Sequence, residues 1–292
     1  MKFQLVFIAV GALLLISFPL AAVAFQKGIY INQSTAENPR FLNYLIKRAK
    51  SVGINTFVVD VARVNPVYKR NIAKVKRNGL RFVARVVIFP GGGNHGQITS
   101  RHHWDKKYRL INHAVNLGAD EIQLDYIRYN TKRPASRQNA HHVHRVIKYY
   151  KNKLLRSGVP LQIAVFGETS FGPSHRIGQN VRVFAPSVDV VNPMVYPSHY
   201  EPYKVHSRQP YKTVFSSLKA MKHQFRGRMP FRLIPYIETY NYRYRLPGKA
   251  RHDYIHAQLR AVQDANAHGW YAWSANNRYE PLFQVLSNRR VK

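Results

Sequence analysis

Short apolar runs rich in β-branched residues alternate with helix-like patterns along the chain, and this alternation repeats eight times. The eight predicted strands cover residues 28–31, 55–61, 81–89, 121–126, 161–166, 188–196, 231–238 and 270–273. They are too apolar for a sheet with one face in water, and such runs are typical of parallel strands buried on both faces. The pattern therefore predicts a single (β/α)8 barrel, the TIM-barrel class. An open doubly wound sheet is the alternative, but no Gly-x-Gly-x-x-Gly turn follows the first strand.

The segments between the strands carry apolar residues at helical spacing. Helices are predicted over residues 38–52, 66–78, 105–117, 138–156, 212–224, 251–268 and 281–288. A long loop is predicted from Pro90 through Trp104, where three glycines follow the third strand. Pro193 interrupts the sixth strand, so we expect the end of that strand to be irregular or to lie at an edge of the sheet.

The first 24 residues have the pattern of a targeting segment. Lys2 gives a positive start, residues 3–20 are almost wholly apolar, and Ala22-Val23-Ala24 is a small-x-small cleavage site. We expect a signal peptide over residues 1–24, a barrel over residues 25–292, and export to the periplasm or the exterior. An uncleaved inner-membrane anchor is the alternative, because the apolar run approaches the roughly 20 residues that span a bilayer.

The chain is strongly basic, with 46 Lys and Arg against 13 Asp and Glu and a formal net charge of +33. Such a charge concentrates anions and favours an anionic glycan, nucleic acid or an anionic membrane face as partner, although a solvated basic surface gives the same composition. The absence of cysteine excludes disulfides and thiol sites. The pairs and triplets of histidine lack companion carboxylates at ligand spacing, so neither a metal nor another cofactor is expected.

With so few carboxylates, those at predicted strand ends are candidates for chemistry. Asp125 ends the fourth strand, and the carboxyl ends of barrel strands are where reactive groups of this fold lie. Because strand side chains alternate, Glu121, Gln123 and Asp125 share one face. They either line a pocket at the rim or form a buried polar cluster with Arg128.

Three further acids lie at or just beyond strand ends: Asp60, Glu168 and Glu238. Two carboxylates from different strands are what glycoside hydrolysis requires, one ionised as nucleophile or base and one protonated as acid. Asp60 could instead hold a loop, and Glu238 could pair with a barrel arginine. The predicted rim also carries many aromatic side chains, which suit stacking against sugars but also against nucleic-acid bases. These are Tyr126, Tyr129, Tyr196, Tyr200, Tyr236, Tyr240, Trp270 and Trp273. Packing in the core is the alternative for these side chains, and it is the expected role of Trp270.

Two segments are especially specific: Asp-Glu-Ile-Gln-Leu-Asp-Tyr-Ile-Arg at residues 120–128 and Asn-Pro-Met-Val-Tyr-Pro-Ser-His-Tyr at residues 192–200. With residues 27–30, 53–60, 84–89 and 269–276, they resemble the glycoside-hydrolase-like barrel domain of bacteria known as DUF4015. The resemblance runs from Lys27 to Tyr279 and implies a TIM barrel that acts on a polysaccharide.

The chain departs from that family's pattern at three places. Ala164 stands where the fifth strand of the family carries an acid, and Ala62 and Arg63 replace a Lys and an Asp. Pro-Tyr-Ile-Glu at residues 235–238 replaces Pro-Trp-Leu-Gln. The resemblance therefore implies either that Glu168 or Glu238 replaces the missing acid, or that the site is no longer catalytic.

The leading hypothesis is hydrolysis of an envelope or extracellular polysaccharide, an anionic one given the charge, by a monomeric enzyme. Asp125 is the expected nucleophile or base, and Glu168 the expected proton donor with Glu238 as its substitute. The side chains expected to position the substrate are Asp60, Glu121, Gln123, Arg128, Tyr196, His199, Tyr236 and Trp273. The alternative is a non-catalytic barrel that binds an anionic polymer such as lipopolysaccharide, a wall polymer or, less favoured, nucleic acid.

Overall fold

The computed structural model describes residues 24–288, and within this range the strands close into one parallel barrel. The predicted leader over residues 1–24 lies outside the described residues except for Ala24. The strands are β1 Gln26–Ile31, β2 Thr56–Asp60, β3 Arg81–Val87, β4 Glu121–Asp125, β5 Leu161–Phe166, β6 Val190–Met194, β7 Arg232–Leu233, β8 Tyr236–Glu238 and β9 Gly269–Trp273.

Hydrogen bonding around the ring confirms the predicted (β/α)8 class. Strands β1 to β6 pair in sequence order, β9 pairs with β1 and β8, and β6 pairs with both β7 and β8. Strands β7 and β8 are two pieces of the seventh barrel strand, separated at Ile234-Pro235. Proline has no N–H to donate to a neighbouring strand, which explains the interruption.

The helices surround this barrel and fall close to their predicted ranges. They are α1 Gln33–Ala36, α2 Pro39–Ser51, α3 Pro66–Arg77, α4 His95–Thr99, α5 Arg101–Asn116, α6 Arg137–Leu154, α7 Val181–Phe184, α8 Tyr203–His206, α9 Pro210–Gln224, α10 Gly248–Asp264 and α11 Glu280–Ser287. Asn38 and Asn65 cap α2 and α3, each followed by proline at the first helical position. The asparagine side chain accepts a hydrogen bond from a backbone N–H of the first turn, which has no acceptor within the helix. Proline has no N–H that would need an acceptor there, so both residues favour a helix start at this point.

The segment after β3 differs from its prediction as one long loop. It contains α4, and α5 begins at Arg101 rather than at residue 105. Asn94 and Gln97 form a reciprocal capping box at α4, and the Ser100 hydroxyl accepts from the His103 N–H at the start of α5. These caps stabilise the starts of two helices, but the three glycines that precede them led to the prediction of a loop.

Apolar side chains form two packed layers. The larger lies between the strands and the helices, and a smaller cluster fills part of the barrel interior. The interior cluster consists of Tyr30, Val58, Val83, Val190, Tyr196, Ile234, Tyr236 and Tyr271. Polar side chains, among them Gln26, Glu121, Gln123 and Gln162, share the interior with this cluster and form a hydrogen-bonded network below the carboxyl rim. Across residues 24–288, no helix combines the length and apolarity needed to span a bilayer.

Candidate active site at the carboxyl end of the barrel

Arg85 holds two carboxylates together at the carboxyl end of the barrel. Its Nε donates to Asp125 Oδ2 at 2.9 Å, Nη2 donates to the same oxygen, and Nη1 donates to Asp60. Arg85 and Asp125 are buried, at 5% and 6% exposure, while Asp60 is partly exposed. The three residues end or nearly end adjacent strands, because β3 lies between β2 and β4. The structure thus brings Asp60 and Asp125 to one guanidinium.

The ion pairs determine the charge of Arg85. Burial alone lowers the pKa of an arginine, but the carboxylates of Asp125 and Asp60 outweigh it and hold the pKa of Arg85 well above its usual value. The second Asp125 oxygen accepts the backbone N–H of Tyr126, whose φ of +50° is in the left-handed region. A strained residue at this point directs the chain away from the strand while keeping its N–H on the carboxylate.

Aromatic rings cover the Arg85 guanidinium. Tyr30 and Trp273 stack with ring centroids 4.0 Å apart, and the guanidinium carbon lies 5.2 Å and 5.5 Å from their centroids. The Tyr30 hydroxyl also donates to Asp60 at 2.6 Å. Trp273 is only partly buried, so one predicted substrate-stacking ring reaches the surface directly above the ion-paired group.

Gln123 and Glu121 occupy deeper levels of the same polar stripe. Gln123 bonds to Asn192 and accepts from the Tyr236 hydroxyl at 2.7 Å, whereas Glu121 accepts from Arg81 at 2.8 Å and Arg232 at 2.6 Å near the opposite end of the barrel. Neither side chain is exposed. The prediction that Glu121 and Gln123 contact the substrate is therefore corrected. In a closed barrel, only the last inward-facing residue of a strand reaches the rim. Tyr236, which is also buried, belongs to this supporting network.

Arg128 does not join the acidic stripe. Its guanidinium lies 5.3 Å from the Tyr126 ring and 5.1 Å from the Phe166 ring, and Nη1 donates to the Tyr129 carbonyl. Burial lowers the pKa of Arg128, although Tyr126 and Asp125 partly oppose the shift. The buried polar cluster therefore exists, but its arginines are Arg81, Arg85 and Arg232.

Glu238 is a fully buried acid at the end of β8. Ser198 donates to it from its N–H at 2.9 Å and its hydroxyl at 2.7 Å, and the Tyr254 hydroxyl donates as well. Burial raises the pKa of Glu238 to about 7, although the hydrogen bonds from Tyr254 and Ser198 favour its ionised form. His199 Nε2 lies 4.0 Å from the carboxylate, and burial together with Arg243 lowers the pKa of that histidine.

Glu168 has the opposite environment. It is exposed in the 3-10 turn Gly167–Ser170 that follows β5. No hydrogen bond or ion pair among residues 24–288 joins Asp125 to Glu168 or Glu238. His199 is exposed at the same rim and Tyr196 is largely buried, with their rings 5.5 Å apart. Within the described range, no three His, Asp or Glu side chains are grouped so as to hold a metal ion.

Position 164 lies beside Asp125. Leu124 pairs with Ile163 on the neighbouring strand, so the next residues along, Asp125 and Ala164, face the barrel interior side by side. Ala164 also pairs with Asn192 on β6. The acid expected from the family resemblance would therefore stand next to Asp125, and its absence leaves a methyl group there.

Two parts of the rim were missed from the sequence. Arg85 was not among the predicted site residues, although a single arginine in an apolar strand signals a buried anionic partner. A pocket of about 520 Å3 also opens beyond β8 and β9. It is lined by Thr239, Tyr240, Tyr242, Arg251, Ser274, Ala275, Asn276 and Arg278.

The fold is shared with solved glycoside hydrolases at low sequence identity. The spore cortex-lytic enzyme SleL of Bacillus cereus superposes with a TM-score of 0.66 and 13% identity, covering 90% of this chain and 74% of that one. A chitinase from Chromobacterium violaceum gives 0.62 and 10% over 92% and 100% of the two chains. The endo-β-1,4-mannanase of Thermotoga petrophila gives 0.61 and 12% over 91% and 76%. These likenesses establish the barrel fold.

No curated protein matches the sequence. Residues 91–279, however, match the family described as "Putative glycosyl hydrolase domain", DUF4015. The match confirms the resemblance and covers its segments at residues 120–128, 192–200 and 269–276, whereas those at residues 27–30, 53–60 and 84–89 precede it. Its description agrees with the expected enzyme class, a hydrolase of O-glycosyl bonds. The chain belongs to the DUF4015 family of glycosyl hydrolase domains.

Proposed function

We propose that the protein hydrolyses glycosidic bonds in an anionic envelope or extracellular polysaccharide. The single observation that carries this proposal is the placement of Asp125 at the carboxyl end of β4, ion-paired with Arg85, whose guanidinium lies against the Trp273 ring. Barrel enzymes place their reactive groups at this end, and paired carboxylates are the usual catalysts of glycoside hydrolysis.

In this proposal Asp125 is the ionised carboxylate. The charge-assisted hydrogen bonds from Arg85 stabilise its negative form and fix its orientation, while Tyr126 N–H holds the other oxygen. Asp125 acts either as nucleophile at the anomeric carbon or as the base that removes a proton from water. Asp60 and Tyr30 keep Arg85 in place, so they are positioning residues.

Glu168 is the proposed proton donor because it exposes its carboxyl at the rim. The proton moves from this carboxyl to the glycosidic oxygen as the bond to the anomeric carbon breaks. Glu238 has the raised pKa that suits an acid, but its side chain is 0% exposed and it accepts three hydrogen bonds. We assign it to holding the loop of Ser198 and His199, where His199 contacts the substrate.

The test is hydrolysis of a panel of acidic and neutral polysaccharides by the wild type, Asp125→Asn and Glu168→Gln. We expect both variants to fold and to lose about 10²-fold or more of the activity. A nucleophilic anion such as azide restores activity when the missing group is the nucleophile or base, and an activated leaving group restores it when the missing group is the acid. Full activity of Asp125→Asn would refute the proposal.

We also propose that residues 1–24 are a leader that exports the barrel of residues 25–292. The apolar run and the Ala22-Val23-Ala24 segment support this. Amino-terminal sequencing of the mature protein tests it: a chain starting at Phe25 supports cleavage, and an intact Met1 supports a membrane anchor.

A second candidate function is non-catalytic binding of an anionic polymer. It is favoured by a surface cleft of about 450 Å3 between α5 and α6, and by the methyl group of Ala164 in place of an acid. The cleft is lined by Arg101, Trp104, Arg145, Lys148, Tyr149, Asn152 and Lys153. Arg101 lies 4.2 Å over the Tyr149 ring, which leaves a flat cationic surface. Binding that weakens steeply with salt, without release of product from any glycan, supports this candidate.

A further inference from the structure

The pocket beyond β8 and β9 adjoins the proposed active site. Thr239 and Tyr240 directly follow Glu238, and Ser274 and Ala275 directly follow Trp273. The Thr239 hydroxyl donates to the Trp273 carbonyl at 3.1 Å, which joins the two loops at the base of the pocket. Its volume, about 520 Å3, is within the range of small-molecule sites.

Two arginines line this pocket without an anionic partner. Among residues 24–288, no ion pair or hydrogen bond engages the side chains of Arg251 and Arg278, and none of the lining residues is acidic. Arg251 Nε is buried and lacks an acceptor. A buried donor without a partner is costly, so an acceptor from outside the chain would stabilise this arrangement.

The position of Arg251 on its helix adds to the cost of leaving its charge without a partner. It lies in the amino-terminal part of α10, where the helix dipole disfavours a positive charge. The first turn of α10 has no acidic side chain, and the nearest acid along the chain, Asp253, pairs with Lys249 instead. Nothing described within the chain therefore neutralises Arg251.

The other lining groups fit a sugar ring. Tyr240 and Tyr242 offer aromatic faces, and Tyr242 is among the most exposed aromatic side chains, at 71%. Asn276 supplies an amide to the lining. The Tyr242 ring lies 5.4 Å from the ring of His199, so the pocket and the proposed active site share one aromatic border.

We propose that this pocket is a subsite for a sugar residue that carries an anionic group, with Arg251 and Arg278 binding the anion and Tyr240 or Tyr242 stacking on the ring. Arginine presents parallel N–H donors that match carboxylate and phosphate oxygens. The subsite rests on the proposed function, because it explains how a glycosidase of this chain selects an acidic glycan.

The subsite can be tested with monosaccharides, which contain no bond for the enzyme to cleave. The full chain is labelled with 15N, and the Arg251 Nε–H signal, assigned by its loss in Arg251→Gln, is followed during titration. The probes are glucuronate, the neutral methyl ester of glucuronate, and glucose 6-phosphate. Arg260→Gln is the matched control, since Arg260 is an exposed arginine on the same helix.

We expect glucuronate or glucose 6-phosphate to shift the Arg251 signal saturably, and the tighter of the two identifies carboxylate or phosphate as the bound anion. The ester should bind about tenfold more weakly or worse, as should the anion to Arg278→Gln, measured on the same signal, and to Arg251→Gln, measured by isothermal titration calorimetry because that variant lacks the signal. Equal binding of ester and acid, no shift with either anion, or an equal loss in Arg260→Gln would overturn the subsite. Because no turnover is measured, anion binding without glycan cleavage refutes only the proposed function, and cleavage without anion binding refutes only the subsite.

Discussion

Arg85 reaches Asp125 through Nε and Nη2 from the neighbouring strand, so the guanidinium and the carboxylate form a side-on ion pair that is almost completely buried. The third nitrogen of Arg85 is bound to Asp60. Two carboxylates therefore share one positive charge at the rim. The net charge of this group is negative, which suits stabilisation of a positively charged transition state at a sugar ring.

The first prediction concerns the stability that Arg85 provides. Arg85→Met keeps the aliphatic volume but leaves Asp125 and Asp60 without their cation. We expect the free energy of unfolding to fall by about 3–5 kcal/mol at pH 7, because a buried carboxylate loses its counter-charge. Urea unfolding at pH 7 measures the effect.

The matched control for this variant is Arg48→Met. Arg48 pairs with Glu280 at 2.7 Å, but both side chains are substantially exposed. An exposed pair is worth at most about 1 kcal/mol, so this variant should change the stability little. If the two variants destabilise the protein equally, the buried ion pair at the rim contributes no more to the free energy of unfolding than an exposed one.

The fold could be predicted from the sequence because strands and helices are indicated by local patterns of residues. Apolar, β-branched runs identified the strands and helical spacing identified the helices, and the structure shows that asparagine caps followed by proline fix the start of α2 and α3. The error over residues 90–104 arose where local signals conflict, since three glycines precede the capping box at Asn94. A glycine run predicts a loop, whereas a capping box predicts a helix, and the second lies inside the region assigned to the first.

The site could be predicted only in part, because a side chain's role depends on its distance from the carboxyl end of the closed barrel. Alternation correctly placed Glu121, Gln123 and Asp125 on one face, but the face runs from one end of the barrel to the other. Only Asp125 lies at the carboxyl end. The partners of these residues, Arg85 and Arg232, come from other strands, and no local spacing in the sequence reveals which strands become neighbours.

The second prediction uses the alanine beside Asp125. Ala164→Asp places a carboxylate on the inner face of β5 next to Asp125, where the family pattern has an acid. If the missing acid limits catalysis, hydrolysis of the cleaved glycan should rise by up to about 10²-fold. Ala164→Asn is the control, since it adds similar volume without the acid. Equal rates for the two variants would show that the alanine is not the limiting feature.

The third prediction follows from the buried acid at the end of β8. The pKa of Glu238 is about 7 in the folded protein, against 4.5 for an ordinary glutamate. The folded chain therefore holds a proton that the unfolded chain releases between these values. The stability contributed by this proton is fully present below pH 4.5 and is lost as the pH rises through about 7, a change of roughly 3 kcal/mol.

Glu238→Gln keeps the shape and removes the ionisation, so the difference in unfolding free energy between variant and wild type should grow from pH 4.5 to pH 8. Glu280→Gln is the control, because the hydrogen bond from Tyr44 lowers the pKa of Glu280 from 4.5, so its contribution is lost only as the pH falls below that value and its difference from the wild type should stay nearly constant from pH 4.5 to pH 8. Urea titrations across this range provide the measurement. A pH-independent difference for Glu238→Gln would mean that the buried carboxyl is already ionised in the folded protein.

The fourth prediction separates the α5–α6 cleft from the general positive charge. Arg145→Gln with Lys148→Gln removes two cations from the cleft, and Arg70→Gln with Lys69→Gln removes two exposed cations from α3. Both double variants have the same net charge, so a diffuse field predicts equal weakening of heparin binding. If the cleft contacts the polymer, the slope of log affinity against log salt should fall by about 2 in the cleft variant only. Because the formal charge of +33 favours any polyanion, this difference in slope, rather than binding itself, decides whether the cleft is a defined site.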